Sequence, residues 1–192
     1  MSFSPNSSTA SQESEGRCAP TEPSELLVHF SDLLPRDGMA MDLACGSARN
    51  TLCLARQGLT AIGVDRSTEA LKSGREAAAR LNLNVSFVQA DLTRFVLPPN
   101  AFCAVICFNY RDRSLYPSIR ASLRPGGLLI YETYTLEHRK CGRKPLNSAF
   151  LLERSELLGV FGDWEIIYYR EVWVGGGAAS LVARKPGLNG KY

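Results

Sequence analysis

Three carboxylates stand where a ligand would meet them. Asp42 lies in the short apolar run Met39 to Ala44, Asp65 closes the run Thr60 to Asp65, and Asp91 follows the run Val85 to Ala90. The first run leads into Cys45-Gly46-Ser47-Ala48, small residues that let the backbone turn tightly and admit a ligand to the start of a helix. A dinucleotide is one ligand for such a turn, but the details disfavour it. The segment Gly46-Ser47-Ala48-Arg49-Asn50-Thr51 keeps one glycine of the GxGxxG pattern, and Arg49 and Asn50 would crowd an approaching diphosphate. Asp42 would add negative charge beside it, whereas the same acid suits an ammonium group. Asp65 follows Gly46 by 19 residues, close to the ~20-residue offset of a ribose-binding carboxylate.

A ligand with a ribose, a base and an amino-acid ammonium but no phosphate is S-adenosylmethionine. Other chemistries find less support. The chain has six cysteines and two histidines, none of the cysteines in a CxxC pair, and His29 and His138 lie far apart, so no metal site is expected. Cys45 has no histidine near it in sequence to activate a thiol nucleophile. Reduced core thiols suit a cytoplasmic protein. The longest apolar run, Ala101 to Phe108, is far shorter than the ~20 residues a membrane span needs. A net charge of +3 gives no reason to expect nucleic acid.

The elements that must hold these residues follow from periodicity and capping. With 192 residues the chain is one domain. Residues 1–22, rich in Ser, Thr, Glu and Pro, read as a disordered tail, residues 23–186 as the domain and 187–192 as a second tail. Ser24 is placed to cap a helix over Glu25 to Leu34. Further helices are expected over Ala48 to Gln57, with Gly58 at its end, from Ser67 to about Leu81, over Ser114 to Leu123 and over Arg154 to Phe161. Strands are expected at the three runs above, then at Ala101 to Phe108, Gly127 to Tyr134, Trp164 to Trp173 and Ser180 to Arg184. Strands alternating with helices predict an α/β fold: a Rossmann-like, doubly wound, mainly parallel sheet in three α/β/α layers. Phe102 to Phe108 reads as its central strand. The last two strands are joined by three glycines and two alanines, a hairpin and not a crossover.

The run Asp42-Leu43-Ala44-Cys45-Gly46-Ser47-Ala48-Arg49-Asn50 resembles motif I of the class I S-adenosylmethionine-dependent methyltransferases. Gly63-Val64-Asp65, Gln89-Ala90-Asp91-Leu92 and Leu123-Arg124-Pro125-Gly126-Gly127-Leu128 follow in the family's order. CGxxRN before a leucine-rich helix looks most like the small bacterial branch that includes the tellurite-resistance methyltransferases. The resemblance implies a seven-stranded sheet with its last strand antiparallel. It also implies S-adenosyl-L-methionine as cofactor and S-adenosyl-L-homocysteine as product. The motif I backbone, with Asp42, Ala44, Cys45, Gly46 and Arg49, would then surround the methionine moiety, Asp65 would take the ribose hydroxyls and Asp91-Leu92 the adenine, with Arg66 and Asn109 also counted in the cofactor site. Two departures stand out: Ala48 where the family usually has glycine, and Arg111-Asp112 where relatives tend to carry Leu-His.

Methyl transfer from a sulfonium releases a neutral thioether, so it needs positioning and water exclusion more than a fixed acid or base, and no catalytic residue is assigned. A small-molecule acceptor is expected at the ends of the fourth and fifth strands, lined by Tyr110, Arg111, Tyr134 and His138. Residues 111–144 carry eight Arg or Lys against three acids, a local +5 that reads as a basic rim attracting an anionic, thiol or metalloid acceptor. The stretch from Thr135 to Phe150 is long enough for a lid. A cofactor-binding regulator without turnover and a nucleic-acid methyltransferase are the alternatives. The second lacks the (Asp/Asn)-Pro-Pro-(Tyr/Phe) sequence of base-amino methylases. The sequence specifies no oligomeric state.

Overall fold

The computed structural model describes residues 22–141, 148–174 and 176–187. Apart from Glu22 and Gly187, the two expected tails lie outside the described residues. Seven strands form one sheet: β1 (Met39–Leu43), β2 (Thr60–Asp65), β3 (Val85–Gln89), β4 (Phe102–Phe108), β5 (Leu123–Tyr134), β6 (Glu165–Glu171) and β7 (Ala178–Arg184). Their order is β3-β2-β1-β4-β5-β7-β6. The contiguous pairs from β3 to β5 are parallel, while β7 runs antiparallel to both β5 and β6. Every residue of β4 is buried, as an unbroken apolar run between two paired neighbours requires.

Both faces of the sheet are covered. Leu26 and Leu27 of α1 (Glu25–His29) and Leu54 of α2 (Arg49–Arg56) pack against Ala40, Ile106 and Ile130 on one face, with α3 (Thr68–Arg80) on the same side. On the other face, Leu115 and Ile119 of α4 (Leu115–Ser122) and Leu157 and Phe161 of α5 (Glu156–Phe161) pack against Val105, Leu129 and Leu181. Alternate strand residues feed the two layers, and the result is the three-layer α/β/α architecture. Among the described residues, no helix is long and apolar enough to cross a membrane.

Three local expectations are corrected. Ser24 does not cap α1 with its side chain; its backbone N–H donates to Asn50 Oδ1 at 2.8 Å, and a 3-10 turn over Ser31–Leu33 replaces the second half of the expected helix. Strand β5 begins at Leu123, which pairs with Phe102 before the register shifts to Ala104 with Leu128. Pro125 cannot donate to the ladder, and Gly126, at φ +77°, supplies the irregular backbone between the two registers. Strand β6 ends at Glu171, short of Trp173, whose ring lies 4.5 Å from the Arg154 guanidinium.

Candidate active site

The parallel register sets the carboxyl ends of the strands level. Leu43 pairs with Val64 and with Cys107, Asp65 pairs with Gln89, and Phe108 pairs with Glu132. The residues just past these ends line a cleft of about 380 Å³: Ala44, Asp65 and Arg66, Ala90 to Thr93, Asn109 and Tyr110, Thr133 and Tyr134, with Phe150 added from downstream. The cleft lies beside the point where strand order reverses between β1 and β4. Ala44 (φ +57°) and Asn109 (φ +56°) take up left-handed backbone there, a conformation that costs ~1–3 kcal/mol for a side-chain-bearing residue and gathers at ligand sites. Gly46 also has positive φ (+54°), and a Cβ built on it would meet nothing within 4 Å. The turn thus presents bare backbone to open space.

The three carboxylates differ in surroundings. Asp65 accepts the Gly46 N–H on Oδ2 at 2.8 Å and the Ser67 N–H on Oδ1 at 2.9 Å, so it ties the motif I turn to the start of α3 while still facing the cleft. Asp91 is exposed and accepts both the backbone N–H and the hydroxyl of Thr93, bonds that hold its pKa below the usual range. Asp42 is 1% exposed and accepts the Thr51 hydroxyl at 2.6 Å. Burial pushes its carboxyl up to about 7, against the opposing pull of the Thr51 bonds. Asp42 does not line the cleft, so its negative charge is not offered directly to a ligand. Cys45 is also buried behind the turn, and burial, with Asp42 and Asp65 adding to it, drives its thiol pKa upward. Such a thiol is no nucleophile. Arg49 donates to the Glu22 carbonyl at 3.0 Å. With Asn50 holding Ser24, the Arg-Asn pair fastens the N-terminal segment to α2 and stays off the cleft wall.

At the other end, Tyr110 and Tyr134 line the cleft and Arg111 does not. Arg111 is 3% exposed, and its Nε and Nη2 donate to Glu156 of α5 at 2.9–3.0 Å. Arg113 and the Tyr116 hydroxyl donate to the same carboxylate. Arg120 pairs with Asp163. Three cations of the expected basic rim are thus paired with acids that lie beyond the segment in sequence, while Arg143 and Lys144 lie outside the described residues. His138 is buried and packs its ring 4.1 Å from that of Tyr134, behind the cleft wall. The expected lid divides: Leu136–Cys141 and Ser148–Phe150 are 3-10 turns, and residues 142–147 lie outside the described residues.

Sequence reasoning missed Ala90, Thr93, Thr133 and Phe150 as lining residues. The first three adjoin residues it did single out. Phe150 carries no motif, and reaches the cleft because Leu152 bonds back to Tyr134 and Leu136.

The methyltransferase domain family matches residues 40–127, the stretch holding the motif I turn, Asp65 and Asp91. The probable S-adenosyl-L-methionine-dependent methyltransferase TehB of Haemophilus influenzae is 27% identical over 138 residues, 68% of this chain and 47% of that protein. The chain is similar to the class I S-adenosylmethionine-dependent methyltransferases over these stretches. The crystal structure of TehB shares the methyltransferase fold at a TM-score of 0.70 and 20% identity, covering 84% of this chain and 61% of that one. A 2-heptyl-1-hydroxyquinolin-4(1H)-one methyltransferase of Mycobacteroides abscessus is 34% identical over 90 residues, 46% of this chain and 37% of that protein. The chain thus spans less than half the length of each of these two curated relatives.

Proposed function

We propose that this chain binds S-adenosyl-L-methionine at the β1–β3 end of the cleft and transfers its methyl group to a small molecule held at the β4–β5 end. The observation that carries this reading is a cleft lined at one end by Ala44 and Asp65, whose carboxylate holds the Gly46 turn, and at the other by a separate set of side chains. The residues suit the cofactor. Each Asp65 oxygen accepts one backbone N–H and keeps lone-pair capacity for a ribose hydroxyl. Ala44, Ala90 and Leu92 offer apolar contact to a base, with Asp91 at its rim. Asp42 supports the turn through Thr51 and acts on the methionine end only through it.

The bound cofactor supplies an electrophilic methyl: the acceptor's lone pair forms the new bond to carbon, the carbon–sulfur electrons stay with the departing thioether, and any acceptor proton passes to water. The protein's part is to align the acceptor and exclude water, which strand-end side chains fixed by packing can do. The domain is taken as residues 23–186, with 1–22 and 187–192 as tails. A reducing compartment such as the cytoplasm suits its free buried cysteines at 45, 53, 103 and 107. A relative that acts on a hydroxyquinolone supports a small acceptor. An anionic acceptor would draw on the rest of the basic rim, since Arg111, Arg113 and Arg120 are paired with acids.

Calorimetric titration with S-adenosylhomocysteine tests the cofactor site. Asp65→Ala should weaken binding at least about tenfold, the loss expected when hydrogen bonds to a charged group worth ~1.5–3 kcal/mol are removed. Unchanged affinity in a folded variant, or preference for a nicotinamide dinucleotide, overturns the assignment. Methyl-labelled cofactor with fractionated cell extract tests turnover. Label in macromolecules alone rejects the small-molecule acceptor.

A further inference from the structure

The acceptor end of the cleft has a chemical character of its own. Its described lining includes the rings of Tyr110, Tyr134 and Phe150 around Thr133. The three differ in how they are held. Tyr134 packs against His138 at a centroid distance of 4.1 Å, which fixes its plane before any ligand arrives. The Tyr110 backbone is pinned by the Tyr131 hydroxyl, which donates to the Tyr110 carbonyl at 2.9 Å. Phe150 sits at the mouth, 49% exposed, although a large apolar ring gains nothing from facing water. Its neighbours Leu151 and Leu152 are fully buried, so the chain here has apolar anchors enough without it. The guanidinium next in sequence to Tyr110 is committed to Glu156, away from the cleft.

We infer that the acceptor is a small planar aromatic hydroxy compound, its ring gripped by Tyr110, Tyr134 and Phe150 so that its oxygen faces the cofactor end. The inference rests on the methyltransferase reading of the site and narrows it. Aromatic side chains favour a flat π-system over a saturated body of equal size through offset-stacked and edge-to-face contact. Burial, with the Asp112 charge adding to it, holds the Tyr110 hydroxyl pKa up at about 12, so Tyr110 meets the ligand as a neutral ring and not as a phenolate. In the transfer the acceptor oxygen exchanges its proton for the methyl group, and the proton passes to water.

The test uses the full chain saturated with S-adenosylhomocysteine and titrated by calorimetry with 2-naphthol, its saturated analogue decahydro-2-naphthol, and sodium selenite. The naphthol should bind roughly threefold to tenfold more tightly than the saturated analogue, the preference one aromatic contact supplies. Phe150→Leu should lower naphthol affinity by a similar factor and leave the saturated analogue and S-adenosylhomocysteine unaffected. Phe150→Tyr should restore it. Equal binding of the two alcohols, tighter binding of selenite, or an unchanged Phe150→Leu variant overturns the inference while the cofactor site stands. Failure of S-adenosylhomocysteine to bind at all removes the methyltransferase reading, and this inference with it.

Discussion

The two ends of the cleft are assembled in different ways. At the β1–β3 end the decisive bonds are local: Asp91 to Thr93 spans 2 residues, Asp42 to Thr51 spans 9, and Asp65 to Gly46 spans 19. At the β4–β5 end they are remote: Tyr116 to Glu156 spans 40, Arg111 to Glu156 spans 45, and Ser180 to Glu132 spans 48. The first end is a cassette that closes on itself within three strands. The second is a wall braced by α5 and by the β6–β7 hairpin, where Gly177 passes so close to His138 that a Cβ would overlap its backbone. Such a division lets the acceptor wall change without disturbing the cofactor cassette.

Removing the brace should break the second end and spare the first. Glu156→Ala leaves the Arg111 guanidinium, 4% exposed, with its bidentate partner gone. Breaking a buried pair by deleting one partner costs about 3–5 kcal/mol, so a fall of that size in unfolding free energy by urea titration is expected. Affinity for S-adenosylhomocysteine in the folded fraction should stay within about threefold, since no bond of the Asp65 cassette touches α5. A variant as stable as the parent shows that Glu156 does not brace the second end, and one whose cofactor affinity falls in step with stability shows the two ends to be one unit.

The same division shows how much was legible in sequence. Asp65 and Asp91 could be placed at the strand ends, and Gly46 in the turn after β1, because short separations leave a fixed spacing in the chain. The mainly parallel sheet followed from the alternation of β-type and helix-type periods, and β4 from its unbroken apolarity. Arg111 was misread as a substrate-facing cation because its partner is 45 residues away and no local pattern announces it. The β5 start at Leu123 was missed because Arg124 to Gly127 carries turn chemistry, and a bulge within a strand uses the same residues as a turn between elements. Asp42 was found but given the wrong neighbour. Spacing places a residue near a ligand; it does not say whether Thr51 will reach the carboxylate first.

Asp42 and Glu156 also set the two ends apart in their response to pH. Burial raises the Asp42 pKa from 3.8 to about 7, so the folded state holds its proton more tightly than the unfolded chain does. Its contribution to stability is fully present below about pH 4 and is lost as pH rises through about 7. Glu156 is the opposite case. Burial pushes it up, but the Glu153 N–H, Arg113, Tyr116 and Arg111 together hold it below the usual range. Its contribution is present above the unfolded pKa and is lost as pH falls through the folded one. Urea titrations from pH 4 to 8 should therefore show Asp42→Asn losing less stability than the parent across that window, by about 1–3 kcal/mol. An identical pH slope in parent and variant would mean that Asp42 is ionised throughout.

The smallest effect is expected inside the cassette, at Ala48. The family's glycine suggests that a methyl group there obstructs the cofactor. The structure gives it a different place: Ala48 is fully buried, and its Cβ lies 3.0 Å from where a Cβ on Gly74 of α3 would stand. The methyl faces a helix and not the cleft, and Gly74 makes the room for it. What remains is the backbone, since Ala48 sits at φ +72°, a conformation that costs an L-residue ~1–2 kcal/mol. Ala48→Gly relieves that cost and gives up the burial of one methyl, worth ~0.8 kcal/mol. A net gain of at most about 1 kcal/mol in urea denaturation should result, with S-adenosylhomocysteine affinity unchanged. If affinity instead rises severalfold, the methyl reaches the cofactor after all, and the cassette is less complete than its internal bonds imply.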